Sequence, residues 1–403
     1  MRAGNSKFIK NMNRQNVLEV IRESQEISRT EIMRRTGLTA PTVSDITRSF
    51  LRRGLIREAG TAESTGGRRA TMFRLNPEAR YAVGLDLEDD QVRASLLDFS
   101  GQEIFSLVHR MPEAPDFDRL VQALVSVTVD LVRQSETEPG RILGVGVSVP
   151  GLVDMESGDV HLIPILHLKN IPLGRALKAA LPYPFQVYVI NDAFAATTAE
   201  KWFGAARDDD NFLCVVARSG IGAGFFLNGE LYQGPSGVAG EIGHQTLQVD
   251  GPLCDCGNYG CLESFAGRKA IIRYTQTQLK QGEKSLLTEL AGSVEEVTLD
   301  TICEAAARGD SLALRVFQRT GMYLGVGLAN IINILNPGRV ILSGDLLKYR
   351  DYLTSMHDTL ETKILGVQKS ACEIAYSALG SGIYSMGAGV LLLQDFHYAE
   401  PGA

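Results

Sequence analysis

Apolar residues recur at helical spacing in the first part of the chain, with Val17, Leu18 and Ile21 on one face of residues 16–23. A second helix is predicted over 29–35, because Ser28 precedes it and Glu31 follows three residues later, the pattern of a capping box. Gly37-Leu38-Thr39 forms a short turn. A third helix opens at Thr39 or Ala40 with Pro41 in its first turn and runs to about Arg53. Val43, Ile46, Phe50 and Leu51 face inward on it, which leaves Thr42, Ser44, Asp45, Thr47 and Arg48 outward. After Gly54, residues 55–58 and 71–75 read as two strands of a hairpin, so the amino-terminal pattern is a helix-turn-helix with a wing.

Beyond Asn76-Pro77-Glu78 the period changes, which marks a linker. Residues 81–87, 92–99 and 103–110 read as an antiparallel meander, 117–134 as an amphipathic helix, and 142–149 and 186–190 as buried strands. A comparable order recurs with strands at 212–217 and 222–227, helices, and a strand at 340–342 after a helix that stops before Pro337. Two α/β lobes with similar strand order imply a cleft between them. The expected domains are 1–76, then 77–190 joined by the carboxy-terminal helix 382–400, then 191–381.

Length and composition fit this division, since 403 residues at 44% hydrophobic can fill more than one core. The start has no apolar run suited to secretion, and no stretch of about 20 apolar residues follows, so a cytoplasmic protein without membrane insertion is expected. Charge adds a division of labour. Residues 1–80 hold 16 Lys and Arg against 8 Asp and Glu, whereas the remainder holds 24 against 39, within an overall net charge of -7. A basic head on an acidic body points to nucleic acid bound by the head alone. The DNA-contacting residues are expected to be Ser28, Arg29, Thr39, Pro41, Thr42, Ser44 and Arg48 in the helices. The hairpin tip adds Gly66, Gly67, Arg68 and Arg69, suited to an A·T-rich minor groove. The alternative is a helical protein-interaction module with a solvated basic loop.

Three of the six cysteines lie close together. His244, Cys254, Cys256 and Cys261 supply one imidazole and three thiols, and Gly257 and Gly260 let the backbone fold tightly around an ion. Three thiolates and one imidazole make the Cys₃His set of a closed, structural Zn²⁺ site, while Glu241 and Glu263 flank it without being needed as ligands. The alternative is three buried, reduced cysteines.

Glu241-x-x-His244, Cys254-x-Cys256-Gly257-x-x-Gly260-Cys261-x-Glu263, Val149-Pro150-Gly151-Leu152-Val153-Asp154, Asn191-Asp192-Ala193 and Asn333-x-x-Asn336-Pro337 together resemble the ROK family of sugar kinases and sugar-responsive repressors. The likeness spans nearly the whole chain, and the head with Thr65-Gly66-Gly67-Arg68-Arg69 is similar to the repressor branch. It implies an α/β fold: a winged helix-turn-helix domain followed by a two-lobed actin-like ATPase (ribonuclease-H-like) body. It also implies a sugar pocket between the lobes lined by Asn191, Asp192, Glu241, His244 and Glu263, where one His244 nitrogen binds zinc and the other faces the sugar. Asn191-Asp192 could instead cap the next helix, and the two glutamates could be solvated.

Kinases of the family hold ATP phosphates with Asp-x-Gly-Gly-Thr, where this chain reads Asp86-Leu87-Glu88-Asp89-Asp90. Lost amide donors and added negative charge oppose ATP there. Arg218-Ser219-Gly220-Ile221-Gly222-Ala223-Gly224 departs less from the second phosphate loop, and Ser343-Gly344-Asp345 puts a carboxylate where kinases have Gly-Gly. Asp192, the kinase-type base position, is present. The expected function is a sugar-responsive, non-enzymatic repressor acting as a homodimer or higher homo-oligomer on a pseudo-palindromic operator, with ligand closing the cleft and changing the spacing of the heads. Alternatives are a sugar kinase with a DNA-binding head and a regulator controlled by a protein partner. Where many family members have an Asn after a Pro, this chain reads Pro164-Ile165-Leu166-His167, so one sugar contact differs.

Arg68→Ala should weaken binding to DNA and lower the slope of log affinity against log salt by about one. Fluorescence anisotropy across a salt series measures both, and unchanged values would remove Arg68 from the contact set.

Overall fold

The computed structural model of the protein describes residues 6–61, 70–113 and 115–398. Its first helices are α1 (Ser6–Glu23), α2 (Arg29–Thr36) and α3 (Ala40–Arg52). The Ser28 hydroxyl accepts the Glu31 N–H at 3.2 Å and satisfies one free donor at the start of α2. Glu31 turns outward to Arg34 instead of reaching back, so one half of the capping box forms. Gly37 ends α2 with a φ of 69°, a left-handed conformation that costs glycine little. Val17, Leu18, Ile21, Ile32, Val43, Ile46, Phe50 and Phe73 are buried in the head.

Thr47 corrects the sequence reading. It is fully buried, because 43, 46, 47 and 50 make one helical stripe, and its hydroxyl bonds the Val43 carbonyl oxygen at 2.9 Å. Strands β1 (Ile27–Ser28), β2 (Ile56–Thr61) and β3 (Thr71–Leu75) pair in the order β1-β3-β2. With two residues, β1 is too short to carry a period. Gly66, Gly67, Arg68 and Arg69 lie outside the described residues.

Asn76 ties down the segment after the hairpin, donating its side-chain amide to the Gly54 carbonyl at 2.7 Å and its N–H to Leu55 at 2.9 Å. The Pro77 carbonyl in turn accepts the Phe99 N–H at 2.8 Å. The proline-marked linker is therefore a hydrogen-bonded joint.

The chain divides into two compact units: Met1–Ser148, Pro172–Val189 and the segment from Ala388 on form unit 1, and Val149–Ile171 with Ile190–Gly387 form unit 2. In unit 1, strands β4 (Tyr81–Leu87), β5 (Gln91–Asp98), β6 (Glu103–Arg110), β7 (Ile142–Val149) and β11 (Gln186–Asn191) run in the order β11-β7-β4-β5-β6. The meander β4–β5–β6 is antiparallel and β4–β7 parallel. Helices α4 (Phe117–Gln134) and α5 (Leu173–Ala180) pack together, with Leu120, Leu124, Val127 and Leu131 of α4 buried.

Residues 149–171, expected with the first lobe, group with unit 2. They form β8 (Leu152–Asp154), β9 (Asp159–Ile163) and β10 (Leu168–Ile171), and the Gly151 carbonyl before them accepts the Asn191 amide at 2.9 Å. Alternation alone does not tell on which body a small ladder rests. The remainder of unit 2 is a sheet of β12 (Phe212–Ala217), β13 (Ile221–Leu227), β14 (Glu230–Tyr232), β15 (Arg339–Ser343) and β16 (Glu373–Tyr376), ordered β14-β13-β12-β15-β16. Around it stand α6 (Asp192–Phe203), α7 (Glu263–Ala266), α8 (Arg268–Lys280), α9 (Leu287–Ala291), α10 (Leu299–Ala307), α11 (Ser311–Leu335), α12 (Arg350–Lys363) and α13 (Gly366–Lys369). Helix α11 ends where Asn336 adopts a φ of 46° ahead of Pro337. The last helix, α14 (Ile383–Tyr398), begins in unit 2 and continues in unit 1. No helix among the described residues is long and apolar enough to cross a membrane.

Backbone packs directly on backbone where β7 meets α14. A Cβ on Gly146 would lie 2.0 Å from the Ala388 carbonyl oxygen. Gly146→Ala should therefore lower stability by roughly 1–3 kcal/mol in denaturant unfolding. Wild-type stability in that variant would mean the two elements do not approach this closely.

Candidate functional site

Two antiparallel bridges, Thr246 with Cys261 and Leu253 with Tyr259, fold the loop after His244 back on itself. Gly260, at a φ of 69°, has the Gln248 carbonyl so close that a Cβ would sit 1.6 Å from its oxygen. Gly257, at a φ of 91°, closes the turn by donating its N–H to the Cys254 carbonyl at 2.9 Å. The turn gathers His244, Cys254, Cys256 and Cys261, whose ligand atoms all lie within 4.8 Å of one another. His244 Nδ1 is 3.7 Å from Cys254 Sγ, and Cys256 Sγ is 3.8 Å from Cys261 Sγ. These match the ligand–ligand edges of about 3.8 Å that a tetrahedron with 2.3 Å metal–sulfur bonds requires.

Burial, reinforced by the neighbouring thiols, pushes the Cys254 thiol up to about 12 and raises that of Cys261. A bound cation is what lets such thiols ionise together. The cluster can hold a metal ion. Asp255 is not among the gathered ligands and pairs with Lys269 at 2.5 Å.

A second group lies alongside. Asn191 ends β11 and caps α6, its Oδ1 accepting the N–H groups of Ala193 at 2.9 Å and Phe194 at 3.3 Å while Nδ2 donates to Gly151. The capping alternative is thus realised at Asn191. Asp192, the first residue of α6, is half-buried, and burial raises its pKa while the Arg218 guanidinium opposes the rise. Glu241 Oε2 lies 3.8 Å from His244 Nε2. Burial first, then Asp192 and Glu263, push Glu241 up to about 7. Glu263, at the start of α7, accepts the Ile221 N–H at 2.8 Å.

The fold thus brings Asp192, Glu241, His244 and Glu263 together within unit 2, with Asn191 beside them as a strut. Such convergent acceptors suit a molecule that presents several hydroxyl donors. Arg218 of the glycine loop acts on Asp192, and it is partnered by Tyr384, which carries no motif. Arg218 turns the corner between β12 and β13, and its guanidinium carbon lies 4.0 Å from the centre of the Tyr384 ring. Their separation along the chain hides the pair, although an arginine at the head of a glycine loop is a readable oddity.

The loops at 86–90, 218–224 and 343–345 each make contacts of their own. Between β4 and β5 the chain makes a tight hairpin, Glu88 N–H bonding the Gln91 carbonyl at 2.9 Å. The second loop is the β12–β13 turn, where a Cβ on Gly220 would lie 2.6 Å from Glu263 Oε2. In the third, Asp345 faces Arg268 at 3.7 Å.

On the head, Thr39, Pro41 and Arg48 are exposed, while Thr42 and Ser44 are partly exposed in the first half of α3. Thr39 does not cap α3 with its side chain, and its hydroxyl pairs with that of Thr42 at 2.9 Å, so the first N–H groups of α3 have no side-chain partner there. Arg48 is 3.2 Å from Asp45. Ser28 and Arg29, both partly exposed, also make contacts within the head. The Ser28 hydroxyl caps α2, and Arg29 stacks 4.6 Å from the Phe73 ring centre while donating to Thr47 at 3.1 Å. The sandwich of Arg29 between Phe73 and a buried threonine makes it a strut of the head.

These features define a class: a winged helix-turn-helix joined to a two-unit, actin- and hexokinase-like α/β body with a polar site beside a Cys₃His cluster. Residues 12–57 match the winged helix-turn-helix DNA-binding family and residues 82–395 match the ROK family. The chain belongs to the ROK family. It is 30% identical over 393 residues to the xylose repressor of Caldicellulosiruptor bescii, covering 97% of this chain and 98% of that protein. To the DNA-binding transcriptional dual regulator NagC of Escherichia coli K12 it is 31% identical over 377 residues, covering 93% and 91%. Among solved structures, a ROK family transcriptional regulator described as a homolog of the E. coli MLC protein has a TM-score of 0.83 at 29% identity, covering 97% of each chain. A ROK family glucokinase from Streptomyces griseus, solved with glucose and AMPPNP, has a TM-score of 0.68 at 26% identity, covering 77% of this chain and 98% of that one. The chain is a sugar-responsive DNA-binding regulator of this family.

Cys256, the exposed member of the cluster, gives a clean test. Cys256→Ser should reduce the metal retained from about one ion per chain to a small fraction, with a lower unfolding temperature. Inductively coupled plasma mass spectrometry reads the first and calorimetry the second; full retention would remove Cys256 from the ligand set.

Proposed function

We propose that the protein is a repressor of carbohydrate-utilisation genes whose operator binding changes when a sugar is held by Asp192, Glu241, His244 and Glu263, and that it transfers no phosphoryl group. The observation that carries the reading is the convergence of these acceptors on one small region, with Glu263 on the Ile221 N–H of the glycine turn. A kinase needs such backbone donors free for phosphate. Glu263 holds one of them, and Glu88, Asp89, Asp90 and Asp345 add negative charge to the other two loops. Asp192 could take a proton from a sugar hydroxyl, but a base without a bound donor performs no transfer.

The metal in this reading is zinc. Three thiolates and an imidazole close its coordination, leaving no open position for substrate, so it acts as a structural clamp. Through His244 it holds the Glu241 edge of the sugar site, and through the Cys261 turn it holds Glu263. Xylose and N-acetylglucosamine are the first candidates for the sugar, since the named relatives are a xylose repressor and N-acetylglucosamine repressors. A homodimer placing two α3 helices on a pseudo-palindromic operator completes the reading. The second reading, a sugar kinase with a DNA-binding head, is favoured by Asp192 and by the likeness of the body to the glucokinase.

Calorimetry with D-xylose, D-glucose and N-acetyl-D-glucosamine, run beside an ADP-release assay with ATP and Mg²⁺, separates the two. Saturable heat for one sugar and no ADP above the protein-free rate are expected. In Asp192→Asn that sugar should bind roughly tenfold or more weakly, the loss expected from a charged hydrogen-bond acceptor. Saturable turnover of any of the three sugars would establish the kinase instead.

A further inference from the structure

Helix α14 runs without interruption over Ile383–Tyr398, its first five residues counting with unit 2 and the remainder with unit 1. From Tyr384 to Phe396 it rises about 18 Å. Each of these two positions holds an aromatic ring with arginine on it.

At the first, Tyr384 is buried, with the Arg218 guanidinium carbon 4.0 Å from its ring centre and its hydroxyl 3.4 Å from Ser343 Oγ. The same Arg218 charge acts on Asp192. Three residues along, a Cβ on Gly387 would lie 1.8 Å from the Ala195 carbonyl oxygen, so α14 bears directly on α6, the helix that Asp192 begins. It therefore touches the sugar site by two routes.

At the second, Phe396 sits edge-on to Phe99 at 5.7 Å and receives two guanidinium groups, Arg53 at 5.5 Å and Arg80 at 5.7 Å. Arg53 is the C-cap of α3, its N–H bonded to the Ser49 carbonyl at 3.1 Å. Burial first, then the charges of Arg14 and Arg80, disfavour its protonated form. The negative face of the Phe396 ring offsets that cost. Beside it Asp395 accepts the Tyr188 hydroxyl at 2.8 Å, from β11, the strand that ends in Asn191.

Between these ends the helix has little slack. A Cβ on Gly389 would lie 2.7 Å from Leu97 Cδ1 and 3.4 Å from the Gly84 nitrogen, and Ala388 meets Gly146 as described above. At Gly387 and Ala388 backbone packs on backbone, and such contacts shift as a body because no flexible side chain lies between to take up the motion.

We propose that Phe396 is a positioning residue for the DNA-binding helix α3, and that α14 is the element by which occupancy of the sugar site reaches the head. The second half rests on the sugar-site reading above; the first does not. An aromatic ring at 396 holds the end of α3 through Arg53. A shift of Arg218 or α6 on ligand binding moves Tyr384 and Gly387, and with them the ring.

The test uses the full chain and the duplex that the wild-type protein selects from a random 30-base-pair library. Phe396→Leu keeps an apolar side chain and removes the ring, whereas Phe396→Tyr keeps the ring. Without sugar, the Leu variant should bind the duplex roughly three- to tenfold more weakly and the Tyr variant as wild type does, because a freed α3 is binding-competent for less of the time. With whichever of the three sugars gives heat, wild type and Tyr should change duplex affinity by about 5–150-fold, and Leu by less than about twofold, at unaltered sugar affinity.

If the Leu variant unfolds at a markedly lower temperature, Arg80→Met, which leaves the ring in place and removes one cation, should show a partial loss of the sugar response. Leu and Tyr variants alike in both readouts, or Arg80→Met with the full wild-type response, would overturn the proposal. Should no sugar alter wild-type binding, the sugar-site reading fails and α14 loses its coupling role. The sugar-free comparison then still decides whether Phe396 positions α3.

Discussion

An imidazole has two nitrogens, and His244 places them on opposite sides of one ring: Nδ1 toward the thiols and Nε2 toward Glu241. That constraint joins the metal cluster to the polar site, because the orientation of one face sets the other. It acts in turn on the rest of unit 2. Cys261 closes the cluster, Glu263 follows two residues later at the head of α7, and its carboxylate takes the N–H of the β12–β13 turn. A small cluster thus stands beside two carboxylates, one near His244 and the other on the N–H of the glycine turn.

The body resembles that of a ROK family glucokinase, and its loops make contacts of their own. Phosphate binding depends on backbone N–H groups that converge and remain free, which glycine permits and acidic side chains oppose. Here the first loop is a tight acidic hairpin, the second is engaged by Glu263, and the third carries Asp345 beside Arg268. Recognition of hydroxyl groups needs acceptors of the kind that Asp192, Glu241 and Glu263 supply side by side.

Much of this was legible in order along the chain. The capping serine, the glycine turn and Pro41 mark the head helices, and the cysteine spacing marks the cluster, because each acts through neighbours a few residues away. Thr47, read as outward, continues the buried stripe of Val43, Ile46 and Phe50. Arg29 is partly buried against Phe73 of β3, a contact that no local pattern marks. A polar residue that a distant strand covers carries no local mark. Asn191 shows both kinds of mark: the sequence pattern puts it at the site, and its hydrogen bonds to Ala193, Phe194 and Gly151 make it the cap of α6.

By itself the sequence determined the head helices α2 and α3, the main strand periods, the basic head and a His/Cys cluster that can hold a metal ion, all of which follow from spacings and from local backbone chemistry. Only the tertiary structure decided that residues 149–171 pack with the second unit, that Glu263 holds the glycine turn, and that Arg218 lies over Tyr384. It alone put Phe396 beneath the end of α3. These are contacts between residues far apart in the chain, made because burial and charge are satisfied by whatever the fold brings near. No pattern in the chain records which partner that will be.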